Sequence, residues 1–130
     1  MKLSIKLMLM LVLTAGIMFS TACKKDEGPK NKPTVKTLDF TAKANGTADG
    51  SGEVTDDGGA EITSRGVVYG SLEDPVIGDT GTKTVSAGSG TGKFDVHLSQ
   101  LAPKFTYHVR AYATNSEGTS YGADVEFTVL

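Results

Sequence analysis

The sequence has little of several residue types on which chemical functions depend. Cys23 is the only cysteine in 130 residues, which excludes an internal disulfide, a cysteine metal cluster and a redox pair. There is no tryptophan, and acidic and basic side chains nearly balance at a formal charge of −2. No basic run is interleaved with aromatic residues, so the composition does not favour nucleic acid as a partner.

Long apolar runs are also absent, with one short exception near the N-terminus. Residues 7–19, LMLMLVLTAGIMF, are mostly apolar and follow Lys2 and Lys6. A membrane-spanning helix needs about 20 apolar residues, so this stretch fits the apolar region of a signal peptide better. We predict that residues 1–22 are a cleaved leader. The remaining chain then has 11 basic and 15 acidic residues, a formal charge of −4.

The position of Cys23 indicates a lipid anchor. Ser20, Thr21 and Ala22 before it are small, as a signal peptidase requires. The segment resembles the lipobox of bacterial lipoproteins, in which the cysteine becomes the first mature residue and carries fatty acyl chains such as palmitate. Ser20 stands where many lipoboxes have leucine, and looser lipoboxes of this kind occur in Bacteroidetes-type bacteria. The resemblance implies that Cys23 is lipidated, and the charge and proline of residues 23–33 predict a flexible linker.

This resemblance also implies a location. A lipidated Cys23 would hold the protein at the bacterial outer membrane, which makes the membrane its first expected partner. Residues 24–27, Lys-Lys-Asp-Glu, resemble the lysine-then-acidic export signal that sends some Bacteroidetes lipoproteins to the cell surface. We therefore expect the cell surface. A solvated linker would have the same composition, so a periplasm-facing orientation stays open.

After residue 33, apolar and polar residues alternate between turn signals. The alternation is clearest after Pro103, where Tyr107, Val109, Ala111 and Ala113 share one parity. A period of two is typical of a half-buried strand, and no stretch has helical apolar spacing. The predicted strands lie within residues 34–44, 47–55, 62–70, 82–87, 93–98, 105–114 and 123–129.

Inward-facing side chains can be assigned on three of these segments from the same parity, although Val68 leaves the parity of the third strand open. The residues expected to face the core are Val67 and Tyr69, then Phe94, Val96 and Leu98, and finally Ala123, Val125, Phe127 and Val129.

One turn carries a family resemblance. The order Leu101-x-Pro103-x-x-x-Tyr107-x-Val109 resembles the corner before strand F of fibronectin type III domains, where a tyrosine hydroxyl returns to the backbone upstream. Other segments that match such modules of Bacteroidetes proteins are VTDDGG, RGVVYG and GSGTGKF. The resemblance implies an all-β fold for residues 34–130, a seven-stranded antiparallel β-sandwich of fibronectin type III or immunoglobulin-like type, preceded by the lipoprotein signal peptide.

The resemblance also implies where the loops and the core should lie. The loops at 56–60, 88–92 and 115–120 should cluster at one end of the sandwich. Many fibronectin type III cores contain a tryptophan that this chain lacks, and Gly50 stands where a larger residue is expected. We therefore expect an underfilled core and modest stability.

The outward face of the sixth strand holds the candidate binding residues. Arg110 and Tyr112 have outward parity there, and Tyr121 follows the next turn. An exposed aromatic ring beside a guanidinium group could bind a glycan ring or a peptide. The alternative is a cross-strand pair that stabilises the sheet.

Histidines and acidic residues do not form a recognisable site. His97 and His108 have outward parity on strands expected in opposite sheets, so we predict solvated side chains and no shared metal site. The acidic residues of the turns could supply oxygen ligands to calcium, but they lack EF-hand spacing, and Asp-Gly pairs are what hairpin turns need. These acidic residues are Asp56, Asp57, Glu73, Asp74 and Asp79.

The sequence thus predicts no catalytic motif, no metal and no cofactor, and we expect a protein that is not an enzyme. The predicted function is a non-catalytic, lipid-anchored cell-envelope protein with one fibronectin type III-like binding or spacer module. One alternative is a surface protein that binds carbohydrate or an adhesion partner. The other is a small subunit of a larger envelope complex that docks by an edge strand.

Overall fold

The alternating segments form eight strands in a computed structural model, which describes residues 28–130. The predicted leader and Cys23 lie outside the described residues. In residues 28–130 no helix has the length and apolar character needed to cross a membrane. The strands are β1 (Thr34–Lys43), β2 (Thr47–Asp56), β3 (Ser64–Gly70), β4 (Lys83–Ser86), β5 (Gly92–Leu98), β6 (Thr106–Asn115), β7 (Gly118–Tyr121) and β8 (Val125–Thr128).

These strands pair into two antiparallel sheets. The first has the order β1-β2-β5, and the second has the order β4-β3-β6, with β7 and β8 both paired to β6 on its other edge. The predicted all-β architecture with antiparallel sheets is confirmed. The predicted number of seven strands is wrong, because residues 118–121, most of which were predicted to lie in a loop, form the additional strand β7.

A β-bulge separates β7 from β8. From Val109 to Tyr112, β6 advances by three residues, while its partner advances by four, from Val125 back to Tyr121. The extra residue breaks the ladder. Ala123 lies in the break and is exposed, so its predicted inward position is wrong. Parity counted along one segment cannot reveal an inserted residue.

The core lies between the sheets and confirms most of the predicted inward faces. Val67 and Tyr69 of β3 are buried, as are Phe94, Val96 and Leu98 of β5. These side chains alternate with exposed ones along β5, so one face of that strand packs against the second sheet.

The two glycines of β2 leave room that aromatic rings occupy. A Cβ atom at Gly50 would overlap the ring of Phe40, its cross-strand partner, and one at Gly52 would lie 2.6 Å from Cζ of Phe94. The Phe40 ring in turn stacks on Phe127 with centroids 6.0 Å apart. At Gly50 the expected underfilling is therefore wrong, because the Phe40 ring of the neighbouring strand occupies the space of the missing side chain.

Gly50→Ala should destabilise the domain by about 1–3 kcal/mol, since the new methyl group must displace the Phe40 ring. The measurement is the free energy of unfolding in urea, with Ser51→Ala on the same strand as a control. In a Phe40→Leu background the cost of Gly50→Ala should largely disappear. An equal cost in both backgrounds would contradict the steric explanation.

Candidate functional site

The turn between β5 and β6 brings together the three residues predicted from the tyrosine corner. The Tyr107 hydroxyl accepts a hydrogen bond from the backbone N–H of Ala102 at 3.0 Å. Leu101 is buried, and its N–H donates to the carbonyl of Gly46 at 2.9 Å. Pro103 lies between Leu101 and Tyr107 in the sequence, and its fixed φ limits the freedom of the turn. The turn is therefore tied both to its own strand and to the hairpin between β1 and β2.

A cleft of about 240 Å³ lies beside this turn. Its aromatic side consists of Tyr69, Phe105 and Tyr107, with Tyr107 in the middle. The Tyr107 ring centroid is 6.2 Å from that of Tyr69 and 5.3 Å from that of Phe105. On its other side Tyr107 stacks on Phe127 at 5.9 Å. The rings of the cleft thus continue directly into the aromatic part of the core.

The rest of the lining is mixed. It includes the polar residues Lys83, Gln100 and Ser71 together with Leu101 and two glycines. Gln100 has a φ of 57° and Lys104 a φ of 60°, so two residues other than glycine hold the left-handed conformation at the two ends of the turn. Such backbone costs about 1 kcal/mol or more per residue and persists only where the surrounding contacts impose it.

Tyr69 is the most buried aromatic residue of the cleft, with 7% of its surface exposed. Among residues 28–130 its hydroxyl has no hydrogen-bond partner, and no polar side-chain atom there is fully buried and unpaired. The hydroxyl therefore reaches solvent at the cleft. Burial, followed by the neighbouring Tyr107, raises the pKa of Tyr69 above its usual value of 10.0. The group stays protonated at neutral pH and can donate a hydrogen bond.

Sequence reasoning did not find this cleft. Phe105 has the inward parity of Tyr107, yet it is 46% exposed. The only signal was an aromatic residue placed immediately before the strand. Tyr69 was correctly assigned to the core, but parity could not show that its hydroxyl lies at the end of the sandwich.

The outer face of the second sheet differs from the prediction. Tyr112 is 6% exposed and Val68 is fully buried, although both point away from the core between the sheets. The Tyr121 hydroxyl accepts the N–H of Ile77 at 3.2 Å, which places the 71–82 connection over this face. The expected exposure of Tyr112 is wrong, because Tyr112 is buried beside its cross-strand neighbour Tyr121, to which this connection is bonded.

Arg110 and Tyr121 form a contact on the same face. The guanidinium carbon of Arg110 lies 5.0 Å from the centre of the Tyr121 ring. Its Nε donates to the carbonyl of Gly122, in the bulge, at 2.8 Å. The three candidate binding residues therefore lie together on the outer face of the second sheet. There Arg110 contacts Tyr121 and the sheet backbone, and Tyr112 is buried. A binding role for them stays a prediction.

The two histidines lie on opposite sheets, as predicted, but only one is solvated. The side chain of His97 is 60% exposed, and its Nδ1 lies 2.5 Å from Asp49. That of His108 is 12% exposed, and its Nδ1 lies 3.0 Å from both carboxylate oxygens of Asp124. The solvated position expected for His108 is thus wrong, because Asp124 follows the bulge and approaches it from the neighbouring strand.

Several acidic side chains have structural partners. Asp124 also accepts the N–H of Asp74 at 2.7 Å. Asp56 and Asp57 accept the N–H groups of Gly58 and Gly59, each at 2.8 Å, which is the turn role that their spacing suggested. Lys43 and then His97 lower the pKa of Asp49 through hydrogen bonds. In the described range no three histidine, cysteine or acidic side chains are grouped so as to hold a metal ion.

Opposite the cleft, a buried asparagine joins two of the segments predicted to cluster, the 56–60 loop and the start of the 115–120 segment. Asn115 is 5% exposed, and its Nδ2 donates to the carbonyls of Asn31 at 2.7 Å and Asp57 at 2.8 Å. Its Oδ1 accepts the N–H of Glu117 at 2.8 Å. One side chain thus joins the β2–β3 connection, the β6–β7 turn and the segment that precedes β1. Sequence reasoning treated Asn115 only as a turn residue.

Comparison with known proteins supports the fold alone. No protein-family model matches the chain, and no curated protein matches it. Among solved structures it is similar to the fourth fibronectin type III domain of a human protein, with 19% identity over 82% of this chain and 86% of that one and a TM-score of 0.56. Titin domains A168–A170 match with 18% identity over 77% of this chain and 32% of that one, at a TM-score of 0.47. The first similarity shows a fibronectin type III-like fold.

Tyr107→Phe should lower the free energy of unfolding by about 1 kcal/mol, because it removes the hydrogen bond to Ala102. Urea denaturation measures this. Tyr112→Phe is the matched control, since in residues 28–130 that hydroxyl has no hydrogen-bond partner. Equal stability of the two variants would argue against the corner hydrogen bond.

Tyr121→Phe should loosen the 71–82 connection, because its hydroxyl anchors the N–H of Ile77. We expect amide hydrogen exchange at Ile77 to become about fivefold faster, as follows from a lost hydrogen bond of about 1 kcal/mol. Exchange should change little at Val96 in the other sheet. If exchange at Ile77 stays unchanged, this hydroxyl does not hold the connection.

Proposed function

We propose that the protein is a non-catalytic, lipid-anchored protein of the bacterial cell envelope. Its fibronectin type III-like domain acts as a binding module, and Cys23 is the anchored residue at the outer membrane. One observation carries the proposal: the chain enters the domain at the end opposite the aromatic cleft.

The entry point follows from contacts of the segment before β1. Asn31 donates its N–H to the carbonyl of Gly58 at 2.8 Å and accepts from Asn115, and Pro33 is buried. The chain is therefore attached to the loop end from residue 31 onward. Asn31 is eight positions after Cys23, and an extended chain over eight positions reaches at most about 29 Å. An anchored Cys23 would keep the loop end close to the membrane.

The cleft would then face away from the membrane. β6 has 10 residues and runs from the cleft to the loop end, a length of about 34 Å at the usual rise of a strand. The loop end is occupied by its own hydrogen bonds and by the incoming chain. The far end keeps an open cleft lined with aromatic rings, which favours a binding module over a simple spacer.

Acylation of Cys23 would supply enough free energy to hold the protein at the membrane. Each buried methylene group of an acyl chain contributes about 0.8 kcal/mol to membrane attachment, and stable anchoring needs two signals such as two chains. A lipoprotein cysteine with two or three acyl chains meets this requirement. The net negative charge of the mature chain makes attraction to anionic lipid a poor substitute for acylation.

Cys23→Ala should move the protein from the membrane to the soluble fraction. The measurement is fractionation of cells that express the full chain, combined with the intact mass of the purified protein, which should show an acylated Cys23 in the wild type. Ser20→Leu is the matched control, since it brings the lipobox closer to the common pattern and should leave the protein in the membrane.

Unchanged fractionation of Cys23→Ala would refute the anchor. Protease treatment of whole cells separates the two orientations, because only a domain displayed at the surface should be degraded while the outer membrane is intact.

A further inference from the structure

We propose that the cleft formed by Tyr69, Phe105 and Tyr107 binds one hexopyranose ring of a glycan. The proposal rests on the binding role proposed above and is independent of the lipid anchor. It assigns the site to the turn between β5 and β6, and not to the covered face that holds Tyr112.

The aromatic side of the cleft suits the apolar faces of a sugar. Phe105 is 46% exposed although its ring contacts Tyr107 at 5.3 Å. An exposed ring held in place by a neighbouring ring offers a flat apolar surface at little conformational cost. A pyranose ring has C–H groups on its faces and hydroxyl groups around its edge. It can therefore cover Phe105 while its hydroxyl groups still meet polar partners.

The polar side supplies those partners. The Tyr69 hydroxyl opens onto the cleft without a hydrogen-bond partner in residues 28–130, although Tyr69 itself is only 7% exposed. Such a hydroxyl can bond a ligand that enters the cleft. Gln100 adds an amide that can both donate and accept, and Lys83 adds an ammonium donor. Amphipathic lining of this kind matches a polyhydroxylated ring better than a purely apolar ligand.

The size of the cleft restricts the ligand further. Its volume of about 240 Å³ lies below the range of about 300–1,000 Å³ typical of sites for drug-sized molecules. It corresponds to about eight water molecules at the volume of liquid water. One sugar ring fits this space, whereas a peptide would need a longer groove. The lysine on the lining permits a neutral or an acidic sugar.

A second copy of the chain is the competing occupant. Leu72 and Leu130 are 74% and 71% exposed. Lys104, one residue before Phe105, donates its N–H to the carbonyl of Val129, so the C-terminus lies at the same end as the cleft. Two such ends could pack against each other. The cleft favours the sugar because a flat apolar contact would leave the Tyr69 hydroxyl without a partner.

The experiment titrates the full-length protein, solubilised from membranes in detergent, with five sugars followed by NMR of the backbone amides. The sugars are glucose, galactose, mannose, N-acetylglucosamine and glucuronic acid. For at least one sugar we expect amide chemical-shift changes confined to residues 69–71, 81–83 and 100–107. The expected dissociation constant is about 1 mM, as for a single weak contact.

Two variants and a control make the test specific. Phe105→Ala should weaken binding at least about tenfold, because it removes the stacking surface, and Tyr69→Phe should weaken it about fivefold, because it removes one donor. Phe105 is half-exposed, so its loss should not unfold the domain. Ser51→Ala, in the other sheet, should bind like the wild type.

Three outcomes would overturn the proposal. One is the absence of shifts with every sugar, and another is equal binding by Phe105→Ala and the wild type. The third is a dimer, detected by light scattering, that Phe105→Ala abolishes, which would assign this end to a second copy. A soluble wild-type protein in the fractionation experiment would refute the anchor while leaving the sugar titration valid, so the two proposals fail separately.

Discussion

A continuous set of aromatic contacts connects the middle of the first sheet to the cleft. It begins where Gly50 leaves room for the Phe40 ring, continues through Phe127 to Tyr107, and ends at the two outer rings of the cleft. Tyr107 is the central member, and its hydroxyl is bonded to the backbone of the turn at Ala102. Because each ring is positioned by the one before it, the packing of the core also sets the geometry of the cleft.

The second sheet is covered on both faces, and this limits where the domain can bind. Its inner face belongs to the core, and on its outer face Val68 and Tyr112 are buried while Tyr121 is hydrogen-bonded to the 71–82 connection. Asn115 joins the loops at one end to the incoming chain. The opposite end is left as the open end of the sandwich, and it is there that the cleft lies.

Residues that depend on local pattern were predicted well. The alternation of β5, the inward faces of β3 and the turn roles of Asp56 and Asp57 follow from spacing within about ten residues. Predictions failed where distant segments meet. Tyr112 was predicted to be exposed, but it is buried beside Tyr121, which bonds to a connection that begins about forty residues earlier. His108 was also predicted to be exposed, but it contacts Asp124, which lies on a neighbouring segment. The cleft could not be predicted for the same reason, since Tyr69 and Phe105 come from separate parts of the chain.

By itself, the sequence determined the all-β class, the two-sheet core and the corner at Leu101, Pro103 and Tyr107. Alternation and turn chemistry are local properties that survive in any fold with the same strands. Only the tertiary structure decided that rings from neighbouring strands fill the space beside the glycines of β2. It also decided that side chains on the outer face of the second sheet are buried. It also decided which end of the sandwich stays open. Burial depends on which segments lie on top of one another, and a linear pattern does not contain that information.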